Sequence, residues 1–142
     1  MSVRVIEPKP VIEDAVAIVP VRDVRTTVAF YHDVLGFERR MISDDATFAI
    51  VVHGEAAIHF VRAGDDAALE ATSNHISIYL WVRALDSLYN ALAVKLDQLP
   101  EGRVRRPFDQ AYGMREFHVK DPDGCLLMYG ESMENQLAGD QN

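Results

Sequence analysis

One segment of the chain places four polar and aromatic side chains at alternate positions. Between His75 and Val82, apolar residues alternate with a second set that consists of His75, Ser77, Tyr79 and Trp81. Because successive side chains of a β-strand point to opposite faces, we expect the apolar set to pack against helices and the second set to line an open face. Rings that carry a polar group are typical of ligand-binding walls and of subunit interfaces.

Two other segments carry ionisable groups in a strand pattern. In MREFHVK, Glu116 and His118 share one face, and in AAIHFVR the imidazole of His59 lies on the same face as Ala57 and Val61. A lone histidine is structural or surface-exposed by default, so each of these residues depends on its neighbours for a function.

Motifs for several common reactions are absent from the sequence. It contains no GxSxG, no phosphate-binding P-loop and no GxGxxG. Cys125 is the only cysteine, which excludes an intrachain disulfide and a CxxC metal site. Cys125 opens a strand beside a turn, and we expect a packed, unreactive thiol there.

Composition predicts one soluble globular domain. The chain has 142 residues, of which 49% are hydrophobic and 25% charged. No uncharged apolar run approaches the length of about 18 residues that a membrane span requires. The first residues carry charges and lack the apolar region of a signal peptide, so we expect a cytoplasmic protein that does not bind a membrane.

The charge balance points away from nucleic acids. With 14 Lys and Arg against 22 Asp and Glu, the net charge is −8 and the pI is near 5.0. An acidic chain is unsuited to bind phosphate backbones but attracts cations. The alternative interpretation is that the charge only keeps the protein in solution.

The first half of the chain is predicted to contain three strands and a helix. Residues 15–21 form a short apolar strand, and Asp23 caps a helix that Gly36 ends in the C′ position. Residues 47–52 and 56–62 are two strands joined at His53-Gly54. The polar segment 64–74 that follows is interpreted as a linker.

The second half repeats this order. Residues 75–82 form a strand, and leucines from Leu85 to Leu99 mark one face of a helix. Residues 115–120 and 125–129 form two strands joined by an Asp-Pro-Asp-Gly turn, and residues 102–108 would supply a further strand.

The repeat is also visible in the residues themselves. The sequence VRDV at positions 21–24 matches VRAL at positions 82–85, an offset of 61. We therefore predict a single domain, 1–142, with a first module at 15–63 and a second at 75–131. Residues 1–14, with Pro8 and Pro10, form an arm. A duplicated half-domain favours a site between its two halves.

Three stretches together resemble the vicinal oxygen chelate superfamily, the glyoxalase, bleomycin resistance protein and dioxygenase group. They are AVAIVPVRDVRTTVAFYHDVLGF, LWVRALDSLYNAL and YGMREFHVKDPDGCLLMYGE. Within the superfamily the chain is most similar to the bleomycin resistance proteins. The resemblance implies an α+β fold in which two βαβββ modules form a curved mixed sheet with the helices outside.

The resemblance also implies a function. Bleomycin resistance proteins are non-catalytic: they bind and sequester a cationic, aromatic antibiotic in a cleft at the interface of a homodimer that exchanges N-terminal strands. Tyr112 occupies the place of a family tryptophan. The predicted ligand-binding residues are His59, His75, Ser77, Tyr79, Trp81, Tyr112, Glu116 and His118, with no catalytic residue and no cofactor.

Enzymes of the superfamily place metal ligands at four positions, which fall here on Val16, His59, Ser77 and Met128. Only His59 is a good ligand for a divalent ion, so we predict no metal. The alternative is a metal-dependent lyase or dioxygenase with a shifted site around His59, His75 and His118. A third interpretation is a binding domain of unrelated specificity.

Overall fold

The structure is a computed structural model, and it describes residues 7–134 and 136. Eight strands and three helices follow one another along the described residues. In chain order they are β1 (Ala17–Val21), α1 (Val24–Asp33), β2 (Glu38–Ile42), β3 (Phe48–His53), β4 (Ala56–Arg62), α2 (Asp66–Thr72), β5 (Ser77–Trp81), α3 (Leu85–Leu96), β6 (Val104–Asp109), β7 (Met114–Lys120) and β8 (Leu126–Ser132).

Each half of the chain builds its own four-stranded mixed sheet. The strand order is β1-β4-β3-β2 in the first sheet and β5-β8-β7-β6 in the second. In both sheets the first strand pairs in parallel with the last strand of its module, and the remaining pairs are antiparallel. The predicted fold of two βαβββ modules is therefore confirmed.

Different residues start the two equivalent helices. The Asp23 side chain caps α1 as predicted by accepting a 2.9 Å hydrogen bond from the amide of Thr26. The corresponding residue before α3 is Ala84, which has no side chain to cap with. Instead, Glu131 on β8 accepts a 2.7 Å hydrogen bond from the Ala84 amide. The second helix is thus tied to the last strand of its own sheet.

The end of α1 differs slightly from the prediction. Gly36 adopts the left-handed conformation, with φ of +76°, but the regular helix already ends at Asp33. A wider turn follows, in which the Phe37 amide donates to the Tyr31 carbonyl at 2.9 Å. Glycine is favoured at such a position because it has no Cβ.

One face of each sheet is buried by helices and the other face is open. Helix α1 packs on β2, β3 and β4, and α3 packs on β6, β7 and β8. The buried residues of both modules form one continuous hydrophobic cluster. In β1 the alternation is plain, since Val19 and Val21 are buried while Ile18, on the opposite face, is 60% exposed.

The two modules of one chain are joined through the turn between β7 and β8. The Tyr31 hydroxyl of α1 donates a 2.8 Å hydrogen bond to Asp121 Oδ2, and the Arg22 amide donates to Asp123 Oδ2 at 3.2 Å. Cys125 is buried beside this turn, and burial raises the pKa of its thiol to about 12. The predicted packing of the thiol is confirmed, and the raised pKa is consistent with low reactivity.

Two parts of the predicted element order need correction. The segment 64–74 is not a plain linker, because it contains α2, whose first turn Asp65 caps through the amide of Ala68 at 2.7 Å. The sequence analysis assigns no residues to strand β2. The strand predicted at residues 102–108 is confirmed as β6. Of the predicted arm, residues 7–14 are exposed and have no regular structure, and residues 1–6 lie outside the described part of the chain.

Candidate functional site

The open face of the second sheet brings together most of the predicted ligand-binding residues. Strand pairing sets Trp81 beside Gly130 and Gly130 beside Glu116 across three adjacent strands. One step further along the strands, Tyr79 lies beside Met128, which in turn lies beside His118. The alternation in β5 therefore produces a face shared with β7 and β8.

Glu116 is the centre of a hydrogen-bond network on this face. Its side chain is fully buried, at 0% exposure. Oε2 accepts from the hydroxyls of Tyr79 at 2.8 Å and Tyr112 at 2.5 Å. Oε1 accepts from Gln110 Nε2 at 3.1 Å and lies 2.8 Å from His118 Nε2. Because a carboxylate only accepts, His118 carries a proton on Nε2 in this contact. We call these five residues the Glu116 cluster.

A glycine makes the reach of Tyr79 to Glu116 possible. Tyr79 lies on β5 and Glu116 on β7, with β8 between them, so the phenol must cross the intervening strand. It does so directly over Gly130, where an added Cβ would lie 1.9 Å from the Tyr79 hydroxyl oxygen. A glycine inside a strand is typical of such a close approach.

The hydrogen bonds of the Glu116 cluster keep its carboxylate ionised. Burial alone would raise the pKa of Glu116, but the hydrogen bonds from Tyr112, His118, Gln110 and Tyr79 outweigh it and lower the pKa to about 2. Burial and the bond to Glu116 raise the pKa of the Tyr79 phenol, and the bond to Glu116 raises that of Tyr112. Both phenols therefore stay protonated at neutral pH.

Aromatic rings are exposed directly beside this charge. The indole of Trp81 is 77% exposed and its centroid lies 5.2 Å from that of Tyr79. Tyr112 is 60% exposed although its hydroxyl is held by Glu116. Trp81 is therefore not a core residue, and the two rings offer apolar surface that a flat ligand can cover.

A second aromatic layer lies behind His118. The Phe108 ring meets the His118 imidazole edge to face, with centroids 5.1 Å apart. The Arg105 guanidinium lies 3.4 Å from the centroid of the same Phe108 ring. These contacts orient His118 toward Glu116 from the far edge of the sheet.

Trp81 lies beside the Glu116 cluster, whereas three other predicted site residues lie away from it. Ser77 is on the same open face but pairs with Leu126, near the other end of β5. His75 precedes the strand, about 20 Å along the chain direction from Trp81 at roughly 3.3 Å per residue. His59 lies in the first sheet, where it pairs with Ile18 and contacts the ring of Phe48.

The residues at the superfamily's metal positions do not fit a divalent ion. Val16 has no donor atom and Met128 offers only a thioether, which is a poor ligand for such ions. Across residues 7–134 and 136, no group of three or more His, Cys, Asp or Glu side chains is close enough to hold a metal ion. Of the donors of the shifted alternative, His59 is on the first sheet, His118 is on the second sheet, and His75 precedes β5.

Sequence reasoning missed three contributors to this face: Gln110, Gly130 and Phe108. Gln110 follows β6 and reaches Glu116 across the turn into β7. The isolated Gly130 in an otherwise regular strand was the available signal for a close approach. No sequence pattern indicates the contact between Phe108 and His118, because it depends on the register of β6 against β7.

The arrangement offers several groups that can contact a ligand. The ionised Glu116 is hydrogen-bonded to four partners. The face offers stacking surface, phenol oxygens and one fixed negative charge. Within the described part of the chain, no helix is long and apolar enough to cross a membrane.

Comparison with known proteins gives a consistent set of relatives. The sequence pattern of the Glyoxalase/Bleomycin resistance protein/Dioxygenase superfamily matches residues 14–129. A bleomycin resistance protein of Geobacillus stearothermophilus is 25% identical over 129 residues, which cover 82% of this chain and 94% of that protein.

Two crystal structures show the same architecture. The bleomycin-binding protein of bleomycin-producing Streptomyces verticillus, complexed with copper(II)-bleomycin, is 26% identical with a TM-score of 0.70; the match covers 85% of this chain and 97% of that one. A bleomycin resistance determinant encoded on the transposon Tn5 is 26% identical with a TM-score of 0.69, covering 85% of this chain and 98% of that one.

Proposed function

Because this chain belongs to the Glyoxalase/Bleomycin resistance protein/Dioxygenase superfamily, we propose that it binds and sequesters a cationic, aromatic small molecule of the bleomycin type in the cytoplasm. The ligand lies on the open face of the second sheet and undergoes no reaction there. The observation that carries this proposal is a fully buried, ionised Glu116 beside a Trp81 indole that is 77% exposed.

The Glu116 cluster has the polarity that a cation requires. The hydroxyls of Tyr79 and Tyr112 donate to Glu116, so their oxygen lone pairs remain to accept hydrogen bonds from N–H groups of a ligand. The carboxylate adds a negative charge behind electron-rich rings, which also attract cations through their faces. The net charge of −8 draws a cationic ligand toward the protein from a distance.

We propose that a second copy of the chain completes the cleft. In one chain the two sheets leave their second faces open, and Ile18, Met41 and Trp81 on strands β1, β2 and β5 are all exposed. Large exposed apolar side chains on such faces are typical of an interaction surface. The exposed arm, which includes Val11 and Ile12, supports the predicted exchange of N-terminal segments in a homodimer.

Titration with bleomycin tests the ligand assignment. Trp81 is the only tryptophan, so its fluorescence reports binding at this face without labelling. We expect saturable quenching whose midpoint moves to higher concentration with added salt, because screening weakens attraction by net charge. The variant Tyr112→Phe should bind more weakly, since it removes one acceptor while Trp81 and the fold remain.

A matched control separates a site effect from a general one. Val94→Ala shortens an exposed apolar side chain on α3, away from the open face, and should leave the titration unchanged. Absence of any fluorescence change with metal-free bleomycin and with its copper complex would remove this ligand class. Light scattering that gives a monomer at micromolar concentration would contradict the proposed homodimer.

A further inference from the structure

A cavity lies between the two modules, and no residue of the Glu116 cluster lines it. Its volume is about 520 Å³, within the range of pockets that hold drug-sized molecules. The turn between β3 and β4 forms one side, and the connection from β5 to α3 forms the other. Its lining is mixed. Phe37, Leu80, Val82, Leu88 and Tyr129 contribute apolar surface, and His53, Glu55 and Arg83 contribute polar groups.

Tyr129, which lines this cavity, carries a hydroxyl that makes no hydrogen bond among the described residues. The residue is 3% exposed, and its ring stacks on Phe117 with centroids 4.3 Å apart. Its hydroxyl is buried and has no hydrogen-bond partner among the described residues. A buried hydroxyl without a partner is destabilising, so buried hydroxyls in native proteins usually have one.

At the corresponding junction on the other side of the molecule, the polar groups are paired with one another. There the connection from β1 to α1 meets the turn between β7 and β8, where the Arg22 amide donates to Asp123. The buried tyrosine at that junction, Tyr31, donates to Asp121. At the junction that forms the cavity, the turn between β3 and β4 carries Gly54 and Glu55 and provides no acceptor for the Tyr129 hydroxyl. Of the buried tyrosines at the two junctions, Tyr31 therefore has a partner for its hydroxyl, whereas Tyr129 has none among the described residues.

From this contrast we infer that the cavity is a second ligand site, which binds a flat aromatic molecule carrying a carbonyl oxygen. The apolar side chains of the lining contact the rings, and the Tyr129 hydroxyl donates to the carbonyl. Burial raises the pKa of this phenol, so it remains a donor at neutral pH. The site goes beyond the proposed binding of a cation at the open face, although Trp81 borders both.

Two probes of matched shape test the assignment on the full chain. 2-Acetylnaphthalene carries a carbonyl group, and 2-isopropylnaphthalene replaces it with an apolar group of similar size. Equilibrium dialysis should show that the ketone binds more tightly than the hydrocarbon. Tyr129→Phe should weaken ketone binding roughly 3- to 10-fold, the effect of one hydrogen bond, and leave hydrocarbon binding unchanged. The melting temperature of Tyr129→Phe should be at least as high as that of the wild type.

A second variant blocks the cavity itself. Ala56 lines the cavity at the exposed start of β4, and Ala56→Phe should abolish binding of both probes while the bleomycin titration stays unchanged. Equal affinity of the two probes, or of the ketone for wild type and Tyr129→Phe, would overturn the site. So would a lower melting temperature of Tyr129→Phe, because it would mean that the hydroxyl already has a partner. Each of these results leaves the proposal for the open face standing.

Discussion

Replacement of Glu116 by glutamine tests the Glu116 cluster most directly. The change keeps the shape of the side chain but removes a fully buried charge. The glutamine amide nitrogen donates, so the partners that now donate to one carboxylate oxygen must turn away. Hydrogen bonds to a charged group contribute about 1.5–3 kcal/mol each, and we expect Glu116→Gln to lower the free energy of unfolding at pH 7 by about 2–4 kcal/mol.

The size of this loss should depend on pH. A carboxylate whose pKa is lower in the folded than in the unfolded chain stabilises the fold above its unfolded pKa, and the stabilisation is lost as pH falls through the folded pKa. For Glu116 the pKa falls from 4.5 to about 2. That shift corresponds to about 3 kcal/mol at pH 7, of which about 2 kcal/mol is lost by pH 3. Glutamine does not titrate, so wild type and variant should converge in acid.

Urea unfolding followed by circular dichroism at pH 7, 5, 4 and 3 measures this difference. Glu101→Gln, at an exposed position in a loop, is the control and should run parallel to the wild type throughout. A difference between wild type and Glu116→Gln that stays constant from pH 7 to pH 3 would refute the assignment of the low pKa to Glu116. A difference below about 0.5 kcal/mol at pH 7 would show that the four hydrogen bonds add no net stability.

Four other outcomes are expected. Trp81→Ala should weaken bleomycin binding roughly tenfold, because stacking and cation–π attraction are lost. It should change the free energy of unfolding by less than about 0.5 kcal/mol, because the indole is exposed. A sharp fall in melting temperature would contradict this. Gly130→Ala should cost about 1–3 kcal/mol by overpacking, and a double-mutant cycle should show that Tyr79→Ala relieves most of it; additive losses would exclude the clash. Tyr31→Phe should cost about 1–3 kcal/mol by removing the buried hydrogen bond to Asp121, measured by urea unfolding. Elemental analysis of protein purified without chelator should find far less than one equivalent of zinc, iron, nickel or manganese per chain, and one equivalent would favour the enzyme.

The open face could be predicted from the sequence because it depends on local rules. Period-two alternation in β5 placed Tyr79 and Trp81 on one side, and the same rule put Glu116 and His118 on one side of β7. These assignments need only the direction of a side chain within its own strand. The resemblance to the superfamily then supplied Tyr112, which no alternation marks because it lies in a turn.

The wrong site predictions concern which strands lie next to each other, and the alternation within one strand carries no information about that. His59 has the right strand phase, but it lies in the first sheet, and within one chain the two sheets do not pair. His75 has the same phase as Ser77 and Tyr79, but it precedes β5, which begins at Ser77 and ends at Trp81. Helix α2 is not predicted from the sequence because Leu69 is its only buried residue, so the segment has no apolar face with helical spacing. The capping residue Asp65 was the one local signal for that helix.

The crossing of Tyr79 over Gly130 restricts the order in which this face can change during evolution. Any side chain at position 130 would occupy space that the phenol already fills, so a substitution there is destabilising for as long as Tyr79 is present. Loss of Tyr79 comes first and leaves Glu116 with three donors, after which position 130 can change freely. Once that second step has been taken, the phenol cannot return. Trp81 and the exposed ring of Tyr112 have no such restriction. Substitutions at these two positions can therefore change ligand preference while Tyr79 and Gly130 stay the same.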